Sequence, residues 1–169
     1  MAKIAAILAN DFEDVEYTRP VEEFRKAGHE IVNVGLKRGE TVKGKKNQTE
    51  VKIDHAVGEV DVDDFDALLI PGGFSPDQLR VDEDAVAFAR GFVQSGKPVF
   101  AICHAGQLLI TAQVLEGRRF TGYKSIVQDL KNAGVEYEDS EVVVDGNLVS
   151  SRNPGDIPAF VRESLAKLG

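Results

Sequence analysis

The sequence has a single cysteine among its 169 residues and only short apolar runs. One thiol excludes an internal disulfide framework and a multi-cysteine metal cluster, and it fits a reducing compartment. The apolar run Ile4–Ala9 stops at Asn10, well short of the roughly 20 residues that a membrane helix needs. No small-residue cleavage site follows the run. We therefore predict a buried strand here, and a cytoplasmic protein that does not bind membranes.

Basic residues are also few relative to acidic ones. Lysine and arginine number 20 against 28 aspartate and glutamate, which gives a formal net charge of −8. An acidic surface is a poor match for a nucleic-acid backbone or an anionic membrane. With 43% hydrophobic and 28% charged residues, the composition is that of a globular chain. We predict one domain over residues 1–169.

Short apolar runs alternate with longer amphipathic ones, a pattern that predicts an α/β fold with a mostly parallel central sheet and helices on both faces. The predicted strands are Lys3–Ala9, Glu30–Gly35, Ala67–Ile70 and Pro98–Ile102, with a hairpin-like excursion at Val42–Asp54 and a C-terminal hairpin of Val142–Asp145 and Leu148–Ser151. The predicted helices are Thr18–Ala27, Asp82–Gln94, Cys103 to about Val114, Ser125–Gly134 and a last one after Asp156. Thr18 is expected to cap the first helix, and Ser125 with Gln128 to form a capping box.

Cys103 lies where a predicted strand turns directly into a predicted helix. Such a turn strains the residue and points its side chain outwards, as in a nucleophile elbow. Free N–H groups at a helix start favour a thiolate and lower the pKa of the thiol. The amide of His104 is then available to stabilise an oxyanion. The position favours a catalytic nucleophile over a cysteine that only fills the core.

Gly72 and Gly73 follow the central strand Ala67–Ile70. Glycine allows the backbone to approach a ligand closely and to adopt unusual conformations. Beside Cys103, the pair is interpreted as part of the site, with the amide of Gly73 as a second oxyanion donor. An ordinary tight turn is the structural alternative.

Four acidic side chains follow the first predicted strand: Asp11, Glu13, Asp14 and Glu16. They would repel the phosphate of a flavin nucleotide. A phosphorelay receiver is also disfavoured, because Pro71-Gly72-Gly73 stands where it needs its phospho-accepting aspartate. Since the carboxyl ends of parallel strands share one edge of the sheet, one of these acids, kept protonated by burial, is expected to hydrogen-bond the thiolate. The others are expected to be solvated.

Metal binding is not expected. His29 and His55 are placed away from the strand ends, so Cys103, His104 and one acid would form a poor metal site. We predict no cofactor.

Four segments of the sequence match those of a known family and occur in the same order. They are Leu8–Glu16, Leu69–Gly73, Ala101–His104 and Val149–Pro154. Together they resemble the PfpI (intracellular protease I) family of the class I glutamine-amidotransferase-like superfamily. The resemblance covers essentially the whole chain. It implies a flavodoxin-like three-layer sandwich.

The resemblance also implies roles for individual residues. Cys103 resembles the family's nucleophile, Glu13 the carboxyl that hydrogen-bonds the thiol, and His104 the acid/base partner. The amides of Gly73 and His104 resemble the oxyanion hole. Tyr123 resembles a tyrosine that lines the pocket of some members.

Asp77 occupies the position at which some members carry a glutamate that reaches the histidine of a neighbouring subunit. The resemblance therefore implies a homodimer or larger homo-oligomer with Asp77 near a neighbouring active site. Aspartate is one methylene shorter than glutamate, which shortens this reach.

Family members are described as deglycases, glyoxalase III-type enzymes and cysteine peptidases. The resemblance implies a cysteine-dependent hydrolase or lyase that acts on small reactive carbonyls or their protein adducts and protects against stress. Peptide cleavage additionally requires a cleft for an extended chain and a strong acid for the amine. An intracellular peptidase, or a redox-sensing stress protein or chaperone without turnover, are the alternatives.

Overall fold

The computed structural model describes residues 1–46 and 48–169. Its strands are β1 (Lys3–Ile7), β2 (Glu30–Gly35), β3 (Thr41–Lys43), β4 (Glu50–Lys52), β5 (His55–Ala56), β6 (Ala67–Ile70), β7 (Val99–Ile102), β8 (Arg119–Phe120), β9 (Glu136–Tyr137), β10 (Val143–Asp145) and β11 (Leu148–Ser151). Seven of them form the central sheet in the order β10-β11-β7-β6-β1-β2-β5. Neighbouring strands are parallel except for β10 and β11.

Helices cover both faces of this sheet. They are α1 (Asp14–Lys26), α2 (Ser75–Leu79), α3 (Glu83–Ser95), α4 (Gly106–Thr111), α5 (Val127–Asn132) and α6 (Ile157–Leu168). One apolar cluster joins Phe88 of α3 and Leu108 of α4 to one face, and a second joins Phe24 of α1 and Phe160 of α6 to the other. The predicted three-layer α/β sandwich is confirmed.

The central strands agree closely with the sequence prediction. β2, β6 and β11 have the predicted bounds, and β1 is the predicted buried strand. The predicted excursion contains the β3–β4 hairpin. These segments are continuous apolar runs or clear alternations, which are the most direct signals of a strand.

Helix starts were predicted less well. α1 begins at Asp14, four residues before the predicted cap Thr18, and Pro20 lies inside it. The predicted capping box of Ser125 and Gln128 is wrong: α5 begins at Val127 without a side-chain cap, and Gln128 bonds Asn132 instead. The predicted helix from Cys103 is a 3-10 turn, Cys103–Ala105, followed by α4.

Within the described ranges, none of the helices combines the length and the apolar character that crossing a membrane would require.

Candidate active site

Three loops meet at the carboxyl ends of β1, β6 and β7, which are adjacent in the sheet. Phe12, after β1, forms an isolated bridge with Gly73, after β6. The amide of Phe74 donates to the carbonyl of Asp11 at 2.8 Å, and the amide of Glu13 donates to the carbonyl of Gly72 at 3.2 Å. This pairing connects the acidic loop to the glycine loop beside Cys103.

Cys103 adopts the strained conformation predicted for an elbow. Its φ is +64°, a left-handed conformation that costs a non-glycine residue roughly 1–2 kcal/mol. The carbonyl of Cys103 accepts the amide of Tyr123 at 2.9 Å, which anchors the turn. The side chain is only 6% exposed. Backbone strain of this kind is concentrated at functional sites.

Two main-chain amides, those of Gly73 and His104, lie close enough to the Cys103 thiol to lower its pKa. These are the two donors that the sequence predicted for an oxyanion hole. They converge because Gly73 has a φ of +78°. A Cβ atom at Gly73 would lie 2.4 Å from the amide nitrogen of Glu13, so only glycine fits here.

The carboxyl group next to the thiol belongs to Glu16, whereas the family resemblance implied Glu13. Glu16 is fully buried and interacts with the Cys103 side chain. Its Oε1 accepts the amide of Gly72 at 2.9 Å. Its Oε2 has no nitrogen or oxygen hydrogen-bond partner among the described residues. Burial raises the pKa of Glu16 to about 8, so the group is protonated at neutral pH.

Glu13 instead forms ion pairs at the rim of the site. Its two carboxyl oxygens contact Lys46 Nζ at 2.9 Å and Lys45 Nζ at 3.0 Å. Glu13 is the N-cap of α1 and Glu16 lies one turn further along. The residue pattern alone left open which acid meets the thiol, because both residues were predicted to lie in a loop before a helix at Thr18. The helix places Glu16 one turn deeper than Glu13.

The predicted lowering of the thiol pKa is wrong for this site. Burial raises the pKa of Cys103, and the amides of Gly73 and His104 offset this only in part. The helix α4 begins three residues after the cysteine and has only six residues. Thiolate formation therefore depends on a local proton acceptor.

His104 provides such an acceptor. Its Nδ1 lies 3.3 Å from Cys103 Sγ and its Nε2 lies 3.1 Å from Ser125 Oγ. Its ring stacks on Tyr123, with the ring centres 4.8 Å apart. Burial, and then the charge of Lys45, lower the pKa of His104, which keeps the imidazole neutral and able to take a proton. The family resemblance implied a pocket position for Tyr123, whereas Ser125 was predicted only as a helix cap.

Asp77 lies in the first turn of α2, a helix that the sequence analysis did not predict. Its charge raises the pKa of His104 in the same chain, in opposition to burial and Lys45. Asp77 is therefore close enough to influence the histidine without a neighbouring subunit.

Comparison with known proteins agrees with this arrangement. The model of the DJ-1/PfpI family matches residues 2–167. The chain belongs to the DJ-1/PfpI family. It is 56% identical to protein/nucleic acid deglycase 2 of Escherichia coli, over 99% of this chain and 98% of that protein. It is also 56% identical to general stress protein 18 of Bacillus subtilis, over 98% and 97%.

Solved structures of DJ-1/PfpI proteins share the fold. A two-domain protein from Anabaena variabilis with DJ-1/ThiJ/PfpI-like and ferritin-like domains superimposes with a TM-score of 0.98 at 38% identity. The match covers 100% of this chain and 48% of that one. The flavodoxin-like architecture and the family resemblance deduced from the sequence are thereby confirmed.

Proposed function

We propose that the protein is a cysteine-dependent deglycase that acts on small reactive carbonyls or on their adducts with amines and thiols, as part of protection against stress. The observation that carries this proposal is the convergence of two amides, a buried carboxyl and a neutral imidazole on the strained Cys103. The name of the Escherichia coli relative supports the reaction class, and that of the Bacillus subtilis relative supports the link to stress.

In this proposal His104 Nδ1 takes the thiol proton as Cys103 attacks the carbonyl carbon of the substrate. The amides of Gly73 and His104 stabilise the oxyanion that forms. His104 then gives this proton to the amine or thiol as its bond to the adjacent carbinol carbon breaks and the hydroxyl on that carbon becomes a carbonyl. The tetrahedral adduct collapses with cleavage of the C–S bond, which releases the dicarbonyl, and the hydroxyl proton passes through His104 back to the Cys103 thiol. Glu16, protonated at neutral pH, donates a hydrogen bond to the sulfur or to the adduct. Ser125 and Tyr123 hold the imidazole in position.

The alternatives are less well supported. Peptide cleavage needs a strong acid for the amine and a cleft for an extended chain, and the nucleophile here is only 6% exposed. A redox sensor needs an accessible cysteine with a low pKa, and burial raises the pKa of Cys103.

We further propose a homo-oligomer in which Asp77 lies near a neighbouring active site. Phe74 and Val81 flank α2 and are 60% and 83% exposed. Exposed apolar side chains mark a contact surface where they form one patch, and we propose that Phe74 and Val81 do so.

The test is turnover of methylglyoxal-treated N-acetyl-lysine and N-acetyl-cysteine by the wild-type chain and by Cys103→Ala and Cys103→Ser. We expect release of the free amine or thiol, and a loss of at least about 100-fold in both variants. A labelled casein substrate and intact mass after mild peroxide treatment are measured in parallel. Unchanged turnover in Cys103→Ala would overturn the thiol mechanism. Casein cleavage without deglycation would favour the peptidase, and a stable oxygen adduct without turnover would favour the sensor.

A further inference from the structure

The ammonium group of Lys45 stands at the rim of the thiol site, on the loop between β3 and β4. Its main-chain amide donates to the carbonyl of Phe12 at 3.0 Å, and Phe12 is bridged to Gly73. Its Nζ lies 3.0 Å from Glu13 Oε2 and 5.0 Å from the ring centre of Phe74. The residues that hold Lys45 are therefore the neighbours of the oxyanion donor Gly73.

The lysine is fixed in place at both ends. Glu13 is a buried carboxylate with 5% exposure, and the Lys45 side chain is 27% exposed against 63% for Lys46. A cation held in this way loses little conformational freedom when it binds an anion. Lys45 also acts on the catalytic groups directly, because its charge lowers the pKa of both His104 and Glu16.

Two ammonium groups, those of Lys45 and Lys46, stand at this rim in a protein whose net charge is −8, and the carboxyl group of Asp14 lies beside them. Two ammonium groups share the single carboxylate of Glu13. An ammonium has three N–H donors. In the part of the chain that the structure describes, Glu13 is the one ion-pair partner found for Lys45. Donors on Lys45 thus remain for a ligand.

We propose that Lys45 is a specificity-determining residue that binds an anionic group of the electrophile, and so favours small aldehydes that carry a carboxylate beside the carbonyl carbon attacked by Cys103. This inference rests on the proposed function for its substrate class. The electrostatic part of the proposal, which is that Cys103 reacts preferentially with anionic electrophiles, can be measured without an enzymatic assay.

The first measurement is alkylation of Cys103 by iodoacetate and by iodoacetamide, which are nearly equal in size and differ in charge. Cys103 is the only cysteine, so mass spectrometry reports this site alone. We expect Lys45→Met to lower the ratio of the iodoacetate rate to the iodoacetamide rate about fivefold at low salt. The effect should diminish in 1 M salt, where the Debye length is about 3 Å.

Three further variants separate the effect of the Lys45 charge on the alkylation ratio from an effect of the substitution on folding. Lys45→Arg keeps the charge and should keep the wild-type ratio. Lys46→Met removes the more exposed partner of Glu13 and should change the ratio less than about twofold. Glu13→Gln removes the competing carboxylate and should raise the ratio. A purely structural role for Lys45 predicts that Lys45→Met slows both reagents equally, and an unchanged ratio would overturn the inference.

The second measurement is inhibition of amine release by aldehydes that add reversibly to Cys103, with glyoxal against glyoxylate, and glycolaldehyde against its phosphate, as neutral and anionic pairs. We expect Lys45→Met to raise the inhibition constant of glyoxylate about fivefold or more, while that of glyoxal changes less than twofold. A larger effect on glycolaldehyde phosphate than on glyoxylate would overturn the preference for carboxylates. If no carbonyl is turned over but the alkylation ratio still falls, the proposed function fails and the anion site stands.

Discussion

At the scale of a single residue, Glu16 is the side chain whose protonation makes the stability of the protein depend on pH. In an unfolded chain its pKa is near the ordinary 4.5, and in the folded protein burial raises it to about 8. Between these values the folded state holds a proton that the unfolded state has released. Glu16 therefore makes the protein less stable as the pH rises from about 4.5 to about 8.

We predict that Glu16→Gln removes this pH dependence. Relative to the variant, the wild-type free energy of unfolding should fall by about 2–4 kcal/mol between pH 5 and pH 8.5, because each unit of pKa difference is worth about 1.4 kcal/mol. Urea unfolding at the two pH values measures it. Glu22→Gln, on the exposed side of the same helix, is the control and should track the wild type. A constant difference between Glu16→Gln and wild type would show that the carboxyl is ionised at neutral pH.

At the scale of elements, the glycine turn after β6 determines whether the three loops can meet. Gly73 and Gly96 both have positive φ, +78° and +82°. A Cβ at Gly73 would lie 2.4 Å from the amide nitrogen of Glu13 and 2.6 Å from the carbonyl oxygen of Asp11, whereas one at Gly96 meets nothing within 4 Å. The two positions share their backbone strain and differ in their surroundings.

We predict that Gly96→Ala costs about 1 kcal/mol of unfolding free energy, from the left-handed conformation alone. Gly73→Ala should cost at least about 3 kcal/mol, because backbone atoms must also move. Denaturant unfolding of both variants gives the comparison. Equal costs would mean that the loop of Phe12 and Glu13 adjusts freely around Gly73.

At the scale of the whole molecule, apolar side chains beside α2 face water when the chain is alone. Val81 and Phe74 are both large, apolar and exposed. They lie at the two ends of the helix that carries Asp77. An interface there would bring Asp77 into contact with a second subunit and would bury apolar area that now faces water.

We predict that the wild-type chain sediments at a multiple of its 18.4 kDa mass and that Val81→Glu shifts it towards the monomer. A buried unpaired carboxylate is costly at an interface. Leu36→Glu, at an apolar side chain 38% exposed, should leave the assembly intact. Light scattering after size exclusion measures the mass. A wild-type monomer at tens of micromolar would contradict the oligomer, and dissociation by both variants would contradict the location of its interface.

The sequence by itself determined the architecture and the place of Cys103 in it. Continuous apolar runs set β6 and β7, and a turn directly after β7 identified Cys103, because these signals are local in the chain. The glycines after β6 and the histidine after the cysteine were also recognised from neighbouring residues alone.

Only the tertiary structure decided which carboxyl reaches the thiol and what state the site adopts. The acids of the first loop were not separable by spacing along the chain, and the family resemblance implied Glu13, one helical turn before the residue that meets the thiol. The pKa of the thiol is raised mainly by burial, which depends on segments distant in the sequence. Lys45 and Ser125 reach the site from other loops, and such convergence is set by packing and not by spacing along the chain.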